Sequence, residues 1–379
     1  MRTDASGAAV NDTLVVRPST AARTVRRGFG ARRVVARPAR VHAPRPMRES
    51  GSYSVVPSFG RDALNGLAQA QKAIPSTWLY DRRGSELFEA ITGVAEYYPT
   101  RNELQILKSC ASEIADAAGP RAVVIELGSG SSRKTRLLLG ALDTPQAYLP
   151  IDISEQFLHE SVADLPSLFA GLQVLPIVAD FTRMASLPQL AVLRAGGADP
   201  GRHVVFFPGS TIGNFTPEAA VALLRRIRRL VGADALLIVG ADSTQDPAVL
   251  LPAYDDREGV TAEFNLNLLV RMNRELRADF DVDAFRHEAR FDAQQQRVEM
   301  HLVSRRAQSV SVLGSRFEFR AGESIHTENS YKYSLLRLQQ LAARAGWVHA
   351  QRWMDGQARF AVHVLEPIAD ARDQHVMFG

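Results

Sequence analysis

The spacing of apolar residues between positions 122 and 240 predicts strands that alternate with helices. The apolar runs that fit buried strands are 122–127, 148–153, 174–181, 203–208 and 235–240. Between these runs, 135–142 and 217–231 have the apolar spacing of amphipathic helices. Strands that alternate with helices predict a mostly parallel sheet with helices on both faces, which is the α/β class.

The pattern changes on either side of this region. Residues 57–98 are irregular and rich in Gly, Pro, Trp and Tyr, whereas 101–118 have helical spacing. The segments predicted beyond Asp242 are helices at 260–276 and 331–345, an antiparallel patch at 297–303 and 309–319, and closing strands at 348–353 and 359–365. We therefore expect a nucleotide-binding α/β domain with a smaller domain inserted before its last helix.

Charge and composition narrow the classes of function. The net charge of +4 is uneven, because residues 1–50 carry eleven Arg against three acidic residues, which leaves −4 for residues 51–379. The mildly acidic body argues against a nucleic-acid partner, and the Arg-rich segment has the composition of a disordered extension. No apolar stretch approaches the roughly 18–20 residues of a membrane span, and Cys110 is the only cysteine. We expect a cytoplasmic, monomeric enzyme without a membrane anchor, disulfide or metal.

A glycine turn marks the first candidate site. Gly128 and Gly130 directly follow the run 122–127 and precede a predicted helix. Glycines in such a turn let a ligand approach the backbone, and the start of the helix offers free N–H groups. Alone this signal is weak, because many strands end in a glycine turn.

Residues at the ends of the next two strands strengthen this site. Asp152 ends the second predicted strand, where a carboxylate can accept hydrogen bonds from both ribose hydroxyls. Asp180 and Phe181 end the third, where an acid and an aromatic ring can meet an adenine. A dinucleotide motif would have a third glycine near position 133, which is Arg133 here. The residues therefore favour adenosylmethionine over a nicotinamide cofactor.

Several longer blocks of the sequence resemble one family. They are 78–81 (WLYD), 84–88 (GSELF), 96–101 (EYYPTR), 126–130 (ELGSG) with Lys134, 207–215 (FPGSTIGNF), 253–256 (AYDD) through Thr261, and Thr327-Glu328 with Ser330. These blocks resemble the signature of the bacterial L-histidine Nα-methyltransferases of ergothioneine biosynthesis. The resemblance extends from about residue 56 to the C-terminus.

The resemblance implies a fold and a reaction. The implied fold is a class I, Rossmann-like methyltransferase domain (102–243 and 333–379) with an inserted α+β substrate-binding domain (56–101 and 244–332), after an Arg-rich extension (1–55). The implied reaction transfers three methyl groups from S-adenosyl-L-methionine to the α-amine of L-histidine. Its products are hercynine and S-adenosylhomocysteine, and it is the first step of ergothioneine biosynthesis.

The resemblance also implies site residues, by position. The cofactor-binding residues implied are Tyr80, Gly128, Lys134, Asp152, Asp180 and Phe181. The substrate-binding residues implied are Tyr97, Gly209, Asn214, Tyr254, Thr261, Met300, Glu328 and Ser330, and the catalytic ones are Tyr80, Asn214 and Tyr254. The sequence departs from the actinobacterial pattern at Asn329 and Tyr331, where a smaller residue or an apolar one is usual.

These assignments agree with the chemistry of a zwitterionic substrate. Neutral donors such as Asn214 and Tyr254 suit its carboxylate without burying another charge, and Glu328 can accept from the imidazole while Ser330 serves the other ring nitrogen. Other interpretations stay open: Glu328 could be a solvated helix-end acid beside an N-cap Ser330. The protein could also be an N-methyltransferase of another aromatic amino acid, an RNA methyltransferase steered by its Arg-rich segment, or an inactive homologue.

Overall fold

A computed structural model describes residues 55–195 and 201–369. The extension expected at residues 1–55 lies outside the described residues, apart from Val55, at which the first helix begins. Among the described residues, no helix is long and apolar enough to cross a membrane.

The strands lie mostly in the order that the sequence pattern predicts. They are β1 (Lys72–Ala73), β2 (Val123–Leu127), β3 (Ala147–Asp152), β4 (Gln173–Val174), β5 (Ile177–Val178), β6 (His203–Phe207), β7 (Ala235–Asp242), β8 (Phe285–Asp292), β9 (Arg297–Ser304), β10 (Gln308–Val312), β11 (Ser315–Phe319), β12 (Ser324–Tyr331), β13 (Trp347–Met354) and β14 (Phe360–Pro367).

The helices connect these strands and cover their faces. They are α1 (Val55–Leu67), α2 (Arg82–Gly93), α3 (Tyr98–Ala118), α4 (Arg133–Ala141), α5 (Glu155–Val162), α6 (Leu165–Leu168), α7 (Pro188–Ala195), α8 (Pro217–Val231), α9 (Pro247–Tyr254), α10 (Val260–Leu276) and α11 (Leu335–Arg344). Short 3-10 turns occur at Ser76–Leu79, Thr211–Asn214 and Val282–Ala284.

The larger sheet has eight strands in the order β13-β14-β7-β6-β2-β3-β4, with β5 also paired to β3. Strands β2 to β7 run parallel, whereas β14 and β13 close one edge as an antiparallel pair. The chain moves outward from β2 in one direction through β3 and in the other through β6. The carboxyl ends of these strands thus flank the reversal of strand order at which open α/β sheets bind ligands.

A second sheet has the order β1-β12-β9-β8, with β1 parallel to β12 and the other pairs antiparallel. Its strands β8, β9 and β12 lie in the sequence between β7 and α11, before the last two strands of the larger sheet. In β12 a β-bulge between His326 and Glu328 shifts the register against β9, so that Glu328 pairs with Met300. Bulges of this kind re-aim side chains next to sites.

Three hydrophobic clusters hold these layers. Alternate residues of β2 belong to different clusters on the two faces of the larger sheet. Val123 and Ile125 belong to one cluster, and Val124 belongs to the other. The third cluster joins the N-terminal helices to the smaller sheet through residues such as Phe59, Leu268 and Ile325. Burial on both faces explains why β2, β3, β6 and β7 read as continuous apolar runs.

The α/β class expected from the sequence is confirmed, and several local predictions are wrong. The helix expected at 331–345 begins only at Leu335, because 324–331 form β12 and Ser334 accepts a hydrogen bond from Arg337 N as its N-cap. The strand expected at 174–181 is reduced to β4 and β5. The segment 57–98, which the sequence pattern predicts as irregular, contains most of α1 and all of α2, and α9, β8 and β12 were not predicted.

Candidate active site

A cavity of about 720 Å³ lies between the carboxyl ends of β2 and β3, the loop after β6, and strand β12. Every residue that the sequence analysis assigned to cofactor or substrate lines this cavity. They are Tyr80, Tyr97, Gly128, Lys134, Asp152, Asp180, Phe181, Gly209, Asn214, Tyr254, Thr261, Met300, Glu328 and Ser330. Residues separated by up to 250 positions in the sequence therefore share one cavity.

The glycine turn after β2 gives the cavity its floor next to the larger sheet. Gly128 has a φ of 71°, a left-handed conformation that favours glycine, and its N–H donates to Ile151 O at 2.8 Å. A Cβ at Gly128 would lie 3.6 Å from Phe181 Cε1. The turn therefore keeps open the space between its own backbone and the Phe181 ring.

Asp152 at the end of β3 is held by this turn. Its Oδ2 accepts from Gly130 N at 3.2 Å and its Oδ1 from Ser154 N at 3.0 Å. Burial raises the pKa of Asp152, and these backbone hydrogen bonds oppose the rise. The carboxylate is thus fixed in orientation at the rim of the cavity.

Asp180 and Phe181 follow β5 on the same edge of the sheet. Asp180 Oδ1 accepts from Thr182 N at 2.9 Å and from Thr182 Oγ1 at 2.5 Å. The Phe181 ring packs edge-on against Phe207 and Phe215, with centroids 5.8 Å and 6.2 Å away. An acceptor and an aromatic face therefore stand side by side, as an adenine would require.

Lys134 on α4 pairs with a residue that sequence reasoning missed. Its Nζ lies 2.6 Å from Glu103 Oε2, and the Glu103 side chain is fully buried. The same carboxylate accepts from Gly209 N, at 3.1 Å to Oε1 and 2.8 Å to Oε2. Gly240 leaves room for it, since a Cβ there would lie 2.0 Å from Oε1. Glu103 therefore connects the start of α4 to the loop after β6.

Glu328 projects into the other end of the cavity and is only 8% exposed. Tyr80 OH donates to its Oε1 at 3.3 Å and Asn214 Nδ2 donates to the same oxygen at 3.0 Å. Among the described residues, none donates to Oε2. Burial raises the pKa of Glu328 to about 8, opposed by the Tyr80 hydrogen bond and the charge of Lys332. The reading of Glu328 as a solvated helix-end acid is wrong, because it lies buried in a strand.

Aromatic side chains enclose this end of the cavity. Tyr80 packs edge-on against Phe264 at 5.4 Å and Phe88 at 5.6 Å, and Tyr97 against Tyr254 at 6.3 Å between centroids. Burial is the largest cause that raises the pKa of Tyr80, Tyr97 and Tyr254 well above 10. All three hydroxyls therefore stay protonated near neutral pH and act as hydrogen-bond donors.

Thr261 and Met300 also line the cavity. Thr261 lies in the first turn of α10, where its N–H donates to Asp256 Oδ1 at 2.8 Å. Met300 in β9 is paired with Glu328 by the bulge in β12 and is 3% exposed. An apolar side chain thus lies next to the buried carboxylate.

Four buried titratable residues in or behind the wall of the cavity were not identified from the sequence as site residues. The side chains of Glu103, Lys332 and Asp242 are fully buried, and Glu126 is 1% exposed. Thr135 Oγ1 donates to Glu126 at 2.5 Å and Tyr148 OH donates to the same oxygen, while burial raises the pKa of Glu126 to about 8. Their partners are distant in sequence, so no local motif marks them.

The residues at the larger sheet fit an adenosylmethionine. Ser129 Oγ is buried without a hydrogen-bond partner among the described residues and lines the cavity, as do the Asp152 carboxylate and the first residues of α4. Ser132, the N-cap of α4, places no side chain on the free N–H groups of that helix. Among the described residues, no group of three or more His, Cys, Asp or Glu side chains could hold a metal ion.

Comparison with known proteins agrees with this geometry. The model of the family described as "Histidine-specific methyltransferase, SAM-dependent" matches residues 59–367. Histidine N-alpha-methyltransferase of Mycolicibacterium smegmatis is 38% identical over 82% of this chain and 95% of its own length. The enzyme of the same name from Mycobacterium tuberculosis is 38% identical, over 79% and 91%. Ergothioneine biosynthesis protein 1 of Neurospora crassa is 30% identical over 78% of this chain and 33% of its own length.

The family match covers the cavity, both sheets and every implied site residue. The chain therefore belongs to the family of histidine-specific, S-adenosylmethionine-dependent methyltransferases.

Proposed function

We propose that the protein transfers methyl groups from S-adenosylmethionine to the α-amine of free L-histidine until hercynine is formed, the first step of ergothioneine biosynthesis. The proposal rests on one observation. A single cavity extends from Gly128 and Asp152, at the carboxyl ends of β2 and β3, to the buried carboxyl group of Glu328. The relatives named for histidine methylation and for ergothioneine biosynthesis support it.

The residues at the larger sheet suit the cofactor. Asp152 would accept from the ribose hydroxyls, Asp180 from the adenine amine, and Phe181 would pack on the adenine face. Lys134 would meet the cofactor carboxylate while remaining next to Glu103. When bound, S-adenosylmethionine supplies a methyl group on a positively charged sulfur.

The opposite end suits histidine. Glu328 Oε2 faces no donor among the described residues and is available to an imidazole N–H. In the ligand-free protein burial raises the pKa of Glu328 to about 8, and a hydrogen bond from the imidazole would favour its ionised form and so become charge-assisted. Asn214 donates one amide N–H to Glu328. Its second amide N–H, together with the Tyr254 hydroxyl, would donate to the substrate carboxylate. Tyr97, Gly209 and Thr261 would complete this backbone site, with Met300 and Ser330 beside the ring.

The chain contributes to catalysis by orientation. Tyr80 lines the cavity beside Glu328, to which its hydroxyl donates. Because its pKa is raised, Tyr80 keeps its proton and does not act as a base; its oxygen would instead accept a hydrogen bond from an N–H of the amine and leave the lone pair free for the methyl carbon. Tyr80, Asn214 and Tyr254 would together hold the neutral amine in line with the methyl carbon at about 3–3.5 Å, a geometry that supplies much of the acceleration of such a displacement.

The same reasoning supports a division of the chain into a methyltransferase domain (102–243 and 333–379) and a substrate-binding domain (56–101 and 244–332). One hydrophobic cluster unites the N-terminal helices with α10 and the smaller sheet, separate from the clusters of the larger sheet. We place the reaction in the cytoplasm, by a monomer that acts on the free amino acid without nucleic acid or membrane.

Mass spectrometry of the purified protein with S-adenosylmethionine and a mixture of the twenty amino acids tests this proposal. We expect histidine alone to gain one, two and finally three methyl groups. If tryptophan is methylated and histidine is unchanged, the tryptophan alternative replaces the proposal. The polar groups at this end of the cavity disfavour that alternative, because an indole has one N–H and no second ring nitrogen to meet them. Gel filtration with light scattering tests the monomer.

A further inference from the structure

Lys332 is a buried cation directly after β12. Neither its side chain nor that of Asp242, at the end of β7, is exposed, and Lys332 Nζ lies 2.8 Å from Asp242 Oδ2. Asp242 also accepts from Tyr98 OH at 2.6 Å and from Thr244 N at 2.9 Å. Apolar residues of the same volume often stabilise a core as well as a buried ion pair does. Packing alone therefore does not account for this pair.

The three N–H groups of Lys332 all have partners. An ammonium group has three donors and no acceptor. Besides Asp242, Lys332 Nζ donates to Tyr254 OH at 2.8 Å and to Ser330 Oγ at 3.0 Å. Both hydroxyl oxygens belong to residues that line the cavity, and both therefore act as acceptors towards the lysine. Each hydroxyl keeps its own proton for another partner.

The two hydroxyls lie 2.7 Å apart, so one can donate to the other while the remaining proton faces the cavity. A ligand with two acceptors could take both protons, because Lys332 continues to satisfy the two oxygens. A hydrogen bond received from a cation also strengthens a hydroxyl as a donor. The wall formed by Tyr254 and Ser330 therefore presents donors, whereas the neighbouring Glu328 presents an acceptor.

Asp242 keeps this arrangement charged. Burial lowers the pKa of Lys332, and the charge and hydrogen bond of Asp242 oppose that change. Glu328, the other acid that faces this cluster, contributes in the same direction. The ammonium is thus held in place by an anion that does not line the cavity.

We propose that Lys332 is a positioning residue that commits the Tyr254 and Ser330 hydroxyls to donate to the substrate, Tyr254 to its carboxylate and Ser330 to its unprotonated ring nitrogen. This inference rests on the proposed function, because histidine is taken as the ligand. Lys332 itself does not touch the substrate. Its effect is therefore expected on the binding of histidine and not on that of the cofactor.

Two double variants separate this role from a structural one. Lys332→Met with Asp242→Asn and Lys332→Gln with Asp242→Asn both remove the two charges, but only the glutamine variant keeps N–H donors at position 332. In the methionine variant we expect KM for histidine to rise about 10- to 100-fold, the usual consequence of losing strong hydrogen bonds. The glutamine variant should recover a large part of that loss. Affinity for S-adenosylmethionine, measured by calorimetry, should stay within about twofold in both.

A partly buried ion pair on the same sheet serves as the control. Lys72 pairs with Glu323 near the opposite end of β12, and neither residue lines the cavity. Lys72→Met with Glu323→Gln should lower the melting temperature without raising KM for histidine. A rise in KM in this control equal to that in the Lys332 variants would assign the effect to general loosening of the sheet and overturn the inference.

Two further results would also decide the matter. If KM for histidine is equal in the methionine and glutamine variants, the inference is overturned. In that case the proposed function still holds, provided that the wild-type protein forms hercynine. A wild-type protein that neither binds nor methylates histidine overturns the proposed function, and the inference with it. A mutant cycle gives an additional test. In a protein that carries Tyr254→Phe and Ser330→Ala, replacing Lys332 should change KM for histidine little, because the two hydroxyls to which Lys332 donates are already absent.

Discussion

Replacing Glu328 by glutamine should stabilise the ligand-free protein, and increasingly so at higher pH. The variant keeps the volume of the side chain and an oxygen that can accept from Tyr80 and Asn214, but it carries no charge. In the wild type, burial raises the pKa of Glu328 from 4.5 to about 8. Between these two values the folded protein holds a proton that the unfolded chain has released, so its free energy of unfolding falls as the pH rises.

The size of the effect follows from the same two values. At about 1.36 kcal/mol for each pKa unit, the difference between 4.5 and about 8 sets an upper limit of roughly 5 kcal/mol above pH 8. Water in the cavity screens the carboxylate, so we expect about 1–3 kcal/mol in the measurement. Glu126 has a similarly raised pKa, but it is present in both proteins and cancels in their difference.

The assay is urea unfolding of both proteins at pH 5, 7 and 9 without ligand. We expect a small difference at pH 5 that grows in favour of the variant up to pH 9, together with a loss of histidine turnover. Glu318→Gln is the control, because Glu318 lies in β11 with a side chain that is 74% exposed, and its difference should not change with pH. A Glu328→Gln difference that is independent of pH, or that reverses at pH 9, would refute the assignment of a buried and destabilising carboxylate.

Three other variants test the rest of the cavity. Asp152→Ala should weaken S-adenosylmethionine by about 1.5–3 kcal/mol in calorimetry, and unchanged affinity would exclude its role with the ribose. Glu103→Gln should lower the free energy of unfolding by about 2–4 kcal/mol. If Lys134 meets the cofactor carboxylate as proposed, S-adenosylmethionine should raise the melting temperature of this variant more than that of the wild type, since that carboxylate would replace the anion that Lys134 has lost. Glu328→Ala with Met300→Val should lower the ratio of kcat/KM for histidine over tryptophan by at least about a hundredfold, and a constant ratio would contradict the specificity assigned to this wall.

The larger sheet could be predicted from the sequence because its strands are buried on both faces. β2, β6 and β7 are nearly continuous apolar runs, and each lies within two residues of the predicted segment. The helices α8 and α10 have the predicted bounds, since their apolar residues recur at helical spacing along one face. Local pattern is sufficient where an element buries apolar side chains regularly.

Strand β12 escaped prediction because function determines its pattern. Its buried positions include Thr327, Glu328 and Ser330, whose polar groups are satisfied within the cavity and by neighbouring strands and not by solvent. Side chains alternate with a period of two along a strand, so Glu328, Ser330 and Lys332 point to the same side. In the sequence alone, where the hydrogen-bond partners of these side chains are unknown, the same polar residues resemble the exposed start of a helix. The resemblance to known blocks identified Glu328 and Ser330, whereas hydrophobic periodicity could not.

Three of the residues that could not be identified from the sequence, Glu103, Asp242 and Lys332, are buried ions whose partners lie far away along the chain. Lys332 and Asp242 are 90 positions apart, and Glu103 lies 106 positions from Gly209. In a sequence, a lysine or a glutamate is by default a solvated surface charge, and only the fold shows that its counter-charge is buried beside it. Motifs mark the groups that contact ligands directly, because those contacts demand fixed residue types. The ionic layer behind them constrains how the ligand-facing hydroxyls and N–H groups are oriented, so its contribution must be read from the contacts of the folded chain.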